Sequence, residues 1–131
     1  MRFLLDTNAV IAVINDPKSK VSRRLRRYAP ADVGVSSVVM YELWFGAYKS
    51  QRVEHNLGVV DSLRFEVLPF DADDARHAGE VRAGLARVGS PIGAYDLLIA
   101  GQARARGLTL VSHKQREFAR VGGLTTVDWA A

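Results

Sequence analysis

Hydrophobic positions along the chain fall into short runs separated by turn residues. Phe3-Leu4-Leu5 is an apolar triplet between Arg2 and Asp6, the length and character of a strand buried on both faces of a parallel sheet. Val10 to Ile14 then continues at helical spacing, so Asp6-Thr7-Asn8 reads as the turn between strand and helix. Asn15-Asp16-Pro17 closes that helix, because proline disfavours a helical residue before it. Residues 18–29 predict a polar, basic helix with Val21, Leu25 and Tyr28 on one side, stopped by Pro30. Asp32 to Val35 predicts a short strand, and Ser36-Ser37 an N-cap for a helix from Val38 to about Ser50.

Further helices are expected over 52–64, about 72–88 and 94–106, with strands at 65–70 and 108–111. Gly89-Ser90-Pro91-Ile92-Gly93 is a turn of helix breakers, and Gly107 a C-cap. A helical turn from Arg116 and an edge strand at 125–127 complete the chain. Strands alternating with helices argue for a mainly parallel sheet covered on both faces, an α/β fold in one domain over 1–131.

In the helix from Val38, the segment through Phe45 is apolar on nearly every side, which predicts a helix enclosed by neighbours. Glu42 is the one charge in its first two turns. There it is either paired, hydrogen-bonded or metal-bound, or it escapes to solvent at the helix edge.

Composition narrows the class. The 131 residues are 48% hydrophobic and 24% charged, as in ordinary soluble domains, and no apolar run reaches the ~20 residues that span a bilayer. The N-terminus enters a strand pattern without the features of a signal peptide, so a cytoplasmic location is expected. There is no cysteine, which excludes disulfides and thiolate metal sites. A net charge of +4 is compatible with a polyanionic partner. The densest basic cluster, Arg23-Arg24-Leu25-Arg26-Arg27, serves equally as a solvated helix face or a phosphate track.

Of the fourteen acids, Asp6, Glu42 and Asp96 are embedded in apolar runs. Asp71, Asp73 and Asp74 open a helix, where acids favour the dipole. His77 and Glu80 have the spacing of a di-iron motif but no second copy. The three embedded acids are expected near the carboxyl ends of strands or in the opening turns of helices that follow them. That edge is where open α/β sheets bind ligands. Asp6 is also a plain N-cap candidate. Three converging carboxylates repel and raise one another's pKa, and a divalent cation relieves the conflict. All-oxygen donors suit Mg²⁺ or Mn²⁺, which can activate water for phosphoryl displacement.

The segments Leu5-Asp6-Thr7-Asn8, Ser36-Ser37 through Glu42, Gly46-Ala47, Pro91 to Ala100, and Thr109-Leu110-Val111 through Arg116-Glu117-Phe118 resemble PIN-domain toxins of the VapC type. Arg120 to Leu124 and Asp128-Trp129 extend the likeness over nearly the whole chain. The resemblance implies a three-layer PIN fold with four to five strands and a Mg²⁺-dependent endoribonuclease toxin that cleaves RNA needed for translation, often tRNA. It also implies a homodimer neutralised by a VapB-type antitoxin whose C-terminal segment occupies the toxin groove. By family role, Asp6 and Asp96 hold metal directly, and Glu42 completes the cluster directly or through water. Thr7 and Asn8 orient Asp6. Lys114 departs from the pattern: a fourth acid or an Asn often stands there, and a Lys cannot bind a cation. Its ammonium either neutralises the cluster, grips a phosphate or faces solvent. Glu117 is the candidate for the missing carboxylate. His113 in the same turn has the chemistry of a general acid, but a loop His usually has no catalytic part. The rival reading is a catalytically weakened PIN domain that holds RNA or antitoxin without cutting. An acid-dependent phosphatase or receiver-like domain is disfavoured because Asp6-Thr7-Asn8 offers one carboxylate.

Overall fold

The structure, a computed structural model, describes residues 1–131. Its strands are β1 (Phe3–Leu5), β2 (Val33–Ser36), β3 (Glu66–Leu68), β4 (Thr109–Val111) and β5 (Thr125–Val127). Its helices are α1 (Thr7–Asn15), α2 (Lys20–Leu25), α3 (Ser37–Tyr48), α4 (Val53–Asp61), α5 (Ala72–Arg87), α6 (Ala94–Ala105) and α7 (Gln115–Phe118). The order along the chain is the one the hydrophobic pattern predicts.

The strands form one sheet in the order β3-β2-β1-β4-β5, with every neighbouring pair parallel. Each crossover therefore returns through helices, and all carboxyl ends share one edge. β1 lies at the centre, and Leu4 and Leu5 are wholly buried there with Val35 and Leu110 on the flanking strands. Burial of such side chains contributes on the order of 2 kcal/mol each. This central position fixes Asp6, which directly follows β1 and whose N–H continues the ladder to the Val111 carbonyl at 3.1 Å. No helix is long and apolar enough to cross a membrane.

α5 and α6 pack closely. A Cβ on Gly101 would stand 2.6 Å from the Ala78 backbone, so only glycine permits this approach. Gly107, at φ +65°, turns the chain from α6 into β4.

Three expectations need correction. The basic helix expected over 18–29 spans only Lys20–Leu25, and Ser19 caps its start. Past Leu25 the chain tightens into turns (Arg27 N–H to Arg24 O, Tyr28 N–H to Leu25 O) before extended Ala29 and the Pro30–Asp32 3₁₀ turn that leads into β2. α3 is not enclosed. Val39, Met40, Leu43 and Ala47 face the core, whereas Trp44 and Tyr41 are exposed and Phe45 and Tyr48 are 58% and 66% exposed. A helix apolar on every side has no periodicity from which its buried face can be read. Asp74, expected as one of three acids that merely open a helix, is buried. Arg106 binds both its carboxylate oxygens at 3.2 and 2.9 Å, Gln102 donates at 3.1 Å, and Asp71 and Asp74 form a capping box.

Candidate active site

Asp6, Glu42 and Asp96 stand at the carboxyl edge of the sheet. Asp6 caps α1, accepting from the Ala9 N–H at 2.8 Å, so the capping role is real and leaves its other oxygen for further chemistry. The residue is 2% exposed. Burial pushes its carboxyl above the ordinary carboxylate range and the charge of Asp96 adds to this, while the Ser112 hydroxyl, the Ala9 N–H and the Lys114 charge oppose it. Asp96 lies in the first turn of α6. That helix precedes β4 rather than following a strand directly. Because α6 runs back across the sheet before β4, its N-terminal turn reaches the same edge as Asp6.

Glu42 sits one and a half turns into α3 and is half-buried. It accepts from the Thr7 hydroxyl at 2.8 Å. The Tyr95 phenol is held above its usual range by the Tyr41 hydrogen bond and charge, by desolvation and also by the charge of Glu42. Glu42 is thus tied by hydrogen bond to Thr7, the residue after Asp6, while Tyr95, the residue before Asp96, bonds Tyr41 of the same helix as Glu42 at 3.0 Å. Thr7 orients Glu42 rather than Asp6, because its hydroxyl is directed to α3. Asn8 is exposed and makes no side-chain hydrogen bond to Asp6. Ser112, which sequence reasoning did not single out, lies beside Asp6 by the Leu5–Val111 register and accepts from the Lys114 N–H at 2.9 Å. Its signal was slight: a single hydroxyl directly after a buried strand.

The Lys114 ammonium lies 3.0 Å from Asp96 Oδ2. Burial pulls its pKa down, but the Asp96 hydrogen bond and the charges of Asp96, Asp6 and Glu117 more than reverse this, so it lies above its ordinary value. Glu117 therefore faces the same charge without an ion pair to it. His113 Nδ1 pairs with Asp128 Oδ2 at 3.0 Å on the outer rim.

As the side chains stand, no three acidic groups close around one point. The donor set nevertheless suits a hard divalent cation, which takes one or two carboxylates and keeps several waters. Asp6 and Asp96 supply two carboxylates that repel each other, and an ammonium already sits against one of them as a stand-in cation.

The sequence model of the PIN domain matches residues 3–124. The chain belongs to the PIN-domain family. Among PIN relatives, it is 46% identical to the tRNA(fMet)-specific endonuclease VapC of Shigella flexneri over 99% of both chains. It is 41% identical to the protein of the same name from Salmonella typhimurium over 98% of each. Among solved PIN structures, the DNA-bound VapBC of Salmonella typhimurium superposes with a TM-score of 0.93, at 41% identity and 98% coverage of both chains. VapBC2 of Rickettsia felis, bound to a promoter DNA fragment, gives 0.90 at 33% identity, covering 98% of this chain and 99% of the other.

Proposed function

We propose that this PIN domain, spanning residues 1–131, is the ribonuclease toxin of a toxin–antitoxin pair, cleaving RNA phosphodiesters with a divalent cation, Mg²⁺ or Mn²⁺. Its substrate is tRNA, the class named for its VapC relatives. The observation that carries the reading is the buried Asp6 carboxylate, held above its ordinary pKa by burial and by Asp96 at the ligand-binding edge of a parallel sheet.

Asp6 and Asp96 are the residues that would hold the cation, with Glu42 joining directly or through water and Glu117 as a fourth acid. Bound there, a divalent ion lowers the pKa of a water and stabilises charge on the phosphoryl oxygens. The chain's own groups prepare the site. The Ala9 N–H fixes the Asp6 carboxylate, with Ser112 beside it in the neighbouring strand, and the Thr7 hydroxyl fixes Glu42. Gly93 leaves room for Asp96, since a Cβ there would meet Asp96 Oδ2 at 3.2 Å. Lys114 balances negative charge at Asp96 and is within reach of an incoming phosphate.

Two surfaces support the partners. Ile11, Ile14, Leu43, Val60 and Glu42 line a cleft of about 260 Å³ between α1, α3 and α4, suited to an apolar antitoxin segment bearing a cation for Glu42. The exposed Tyr41, Trp44, Phe45 and Tyr48 of α3 supply an apolar face for a homodimer.

The deciding experiment incubates purified protein with total cellular RNA, with Mg²⁺ and with EDTA, and maps new ends. Discrete Mg²⁺-dependent cuts are expected. Lys114 on Asp96 is the observation favouring a non-cutting module, and RNA binding without metal-dependent cleavage would choose it.

A further inference from the structure

Lys20, Arg23, Arg24 and Arg27 recur at i, i+3, i+4 and i+7, so they share one face of α2 and the turn that continues it. All four are exposed. With Trp129 and Ala131 they line a cleft of about 280 Å³ that contains no acidic side chain. None of the four enters a salt bridge. Like charges at this spacing repel. Most solvated helix faces intersperse both signs, whereas the side chains of this one carry a single sign over a concave surface, which raises its attraction for anions.

This cleft borders a second one that runs toward the carboxyl edge of the sheet, with Trp129 as the residue common to both. Trp129 also lines a second cleft, of about 240 Å³, which passes Asp128 and His113 to reach Ser112 and Asn8. Ser112 directly follows β4 as Asp6 directly follows β1, and the Leu5–Val111 register sets the two side by side at the carboxyl edge of the sheet. The shared wall is rigid, because the Trp129 ring stacks on Tyr28 at 5.4 Å and 8° and packs on Phe3 at 5.1 Å. The buried Trp129 indole N–H has no partner within the protein. The basic stripe is about 10 Å long, from its seven-residue span at the helical rise. That matches the axial advance of about three nucleotides along one strand. Three of the four cations are arginines, whose forked donors fit phosphate oxygens.

We propose that the Lys20-Arg23-Arg24-Arg27 face is an exosite for the phosphate backbone of the RNA, reached from the cleavage site along the Trp129 cleft. The proposal rests on the ribonuclease reading of the acid site. It places part of the binding energy on RNA well away from the scissile bond, so a large folded RNA gains from it and a minimal strand does not.

The test compares the full-length protein with the variant R23E/R27E and with the milder K20Q/R24Q, each checked by thermal melting. Binding to a pool of mature tRNA is measured against salt in an Asp96→Asn background, so that cleavage does not interfere. Loss of two phosphate contacts should flatten the slope of log K against log[salt] by about 1.5. In the background that retains Asp96, R23E/R27E should lower kcat/KM for tRNA at least about tenfold more than for a short oligonucleotide spanning the mapped cut. Equal salt slopes overturn the exosite. Equal penalties on the two substrates also overturn it, as does a variant that loses affinity for a polyglutamate peptide while keeping that for tRNA. Absence of any cleavage by the unaltered protein sinks the ribonuclease reading instead, and the slope comparison still decides whether RNA lies on α2.

Discussion

The Lys114 ammonium donates to Asp96 Oδ2 at 3.0 Å, so the acid edge of the sheet already carries a positive charge from the chain itself. A divalent cation approaching Asp96 competes with that ammonium. Lys114→Met should therefore tighten Mn²⁺ binding, measured by calorimetry, by about tenfold, or ~1.4 kcal/mol. The same variant should melt at a lower temperature without metal, because Asp6 and Asp96 then repel unopposed. If Mn²⁺ affinity is unchanged or weaker, Lys114 is not in competition with metal.

Asp6 carries its charge at a cost. Its folded pKa is raised, chiefly by burial, so the native state holds the proton more tightly than the unfolded chain does. Stability of the metal-free protein should then fall as pH rises from about 3.8 through the folded value. Asp6→Asn keeps an N-cap and removes the buried charge. It should abolish cleavage, raise the metal-free melting temperature by a few degrees near neutral pH, and erase that fall. A destabilised Asn variant would show that the carboxylate is held more by its hydrogen bonds than penalised by its burial.

Thr7 makes a narrower claim. Its hydroxyl donates to Glu42 Oε1 at 2.8 Å, across 35 residues of sequence. Thr7→Val keeps the shape and frees Glu42. Loss of one hydrogen bond at a half-buried site should cost about 1 kcal/mol of stability. If Glu42 needs orienting, kcat falls about tenfold or more, and Thr7→Ser restores most of it. Equal activity in Thr7→Val would make the bond structural only.

The strands and their order along the chain were legible because Phe3-Leu4-Leu5 and Leu108-Thr109-Leu110-Val111 are short apolar runs punctuated by turn residues, whereas the lateral order β3-β2-β1-β4-β5 depends on crossovers that no local pattern records. Asp6, Glu42 and Asp96 stood out as candidates for a related reason: a charge inside an apolar run is conspicuous, but how closely the three approach one another is a matter of side-chain placement that the sequence does not record. The same filter failed at Asp74, whose sequence neighbours are polar while its spatial neighbours, Arg106 and Gln102, come from another helix. It also failed at Ser112, since a hydroxyl after a strand is unremarkable until Asp6 is brought against it. α3 shows the converse error, because an apolar face awaiting a partner has the same composition as one facing a core.

Asp74 provides a pH test with the opposite sign to Asp6. Burial raises its pKa, but hydrogen bonds from Arg106 and the Asp71 N–H, the Arg106 charge and Gln102 outweigh burial and hold the carboxyl below its ordinary value. A depressed folded pKa contributes stability that is complete above the unfolded value of about 3.8 and is lost as pH falls through the folded one. The windows of Asp6 and Asp74 therefore lie on opposite sides of that value and can be separated in one acid titration. Replacing Arg106 with Met should leave Asp74 buried without its cation. Fully buried pairs lose 3–5 kcal/mol when one partner is removed, and Arg106 is partly exposed, so about 2 kcal/mol is expected. The acid limb of the stability profile should move to higher pH in Arg106→Met, with the Asp6 limb unchanged. Movement of both limbs together would mean that the α5–α6 pair and the acid edge do not titrate independently.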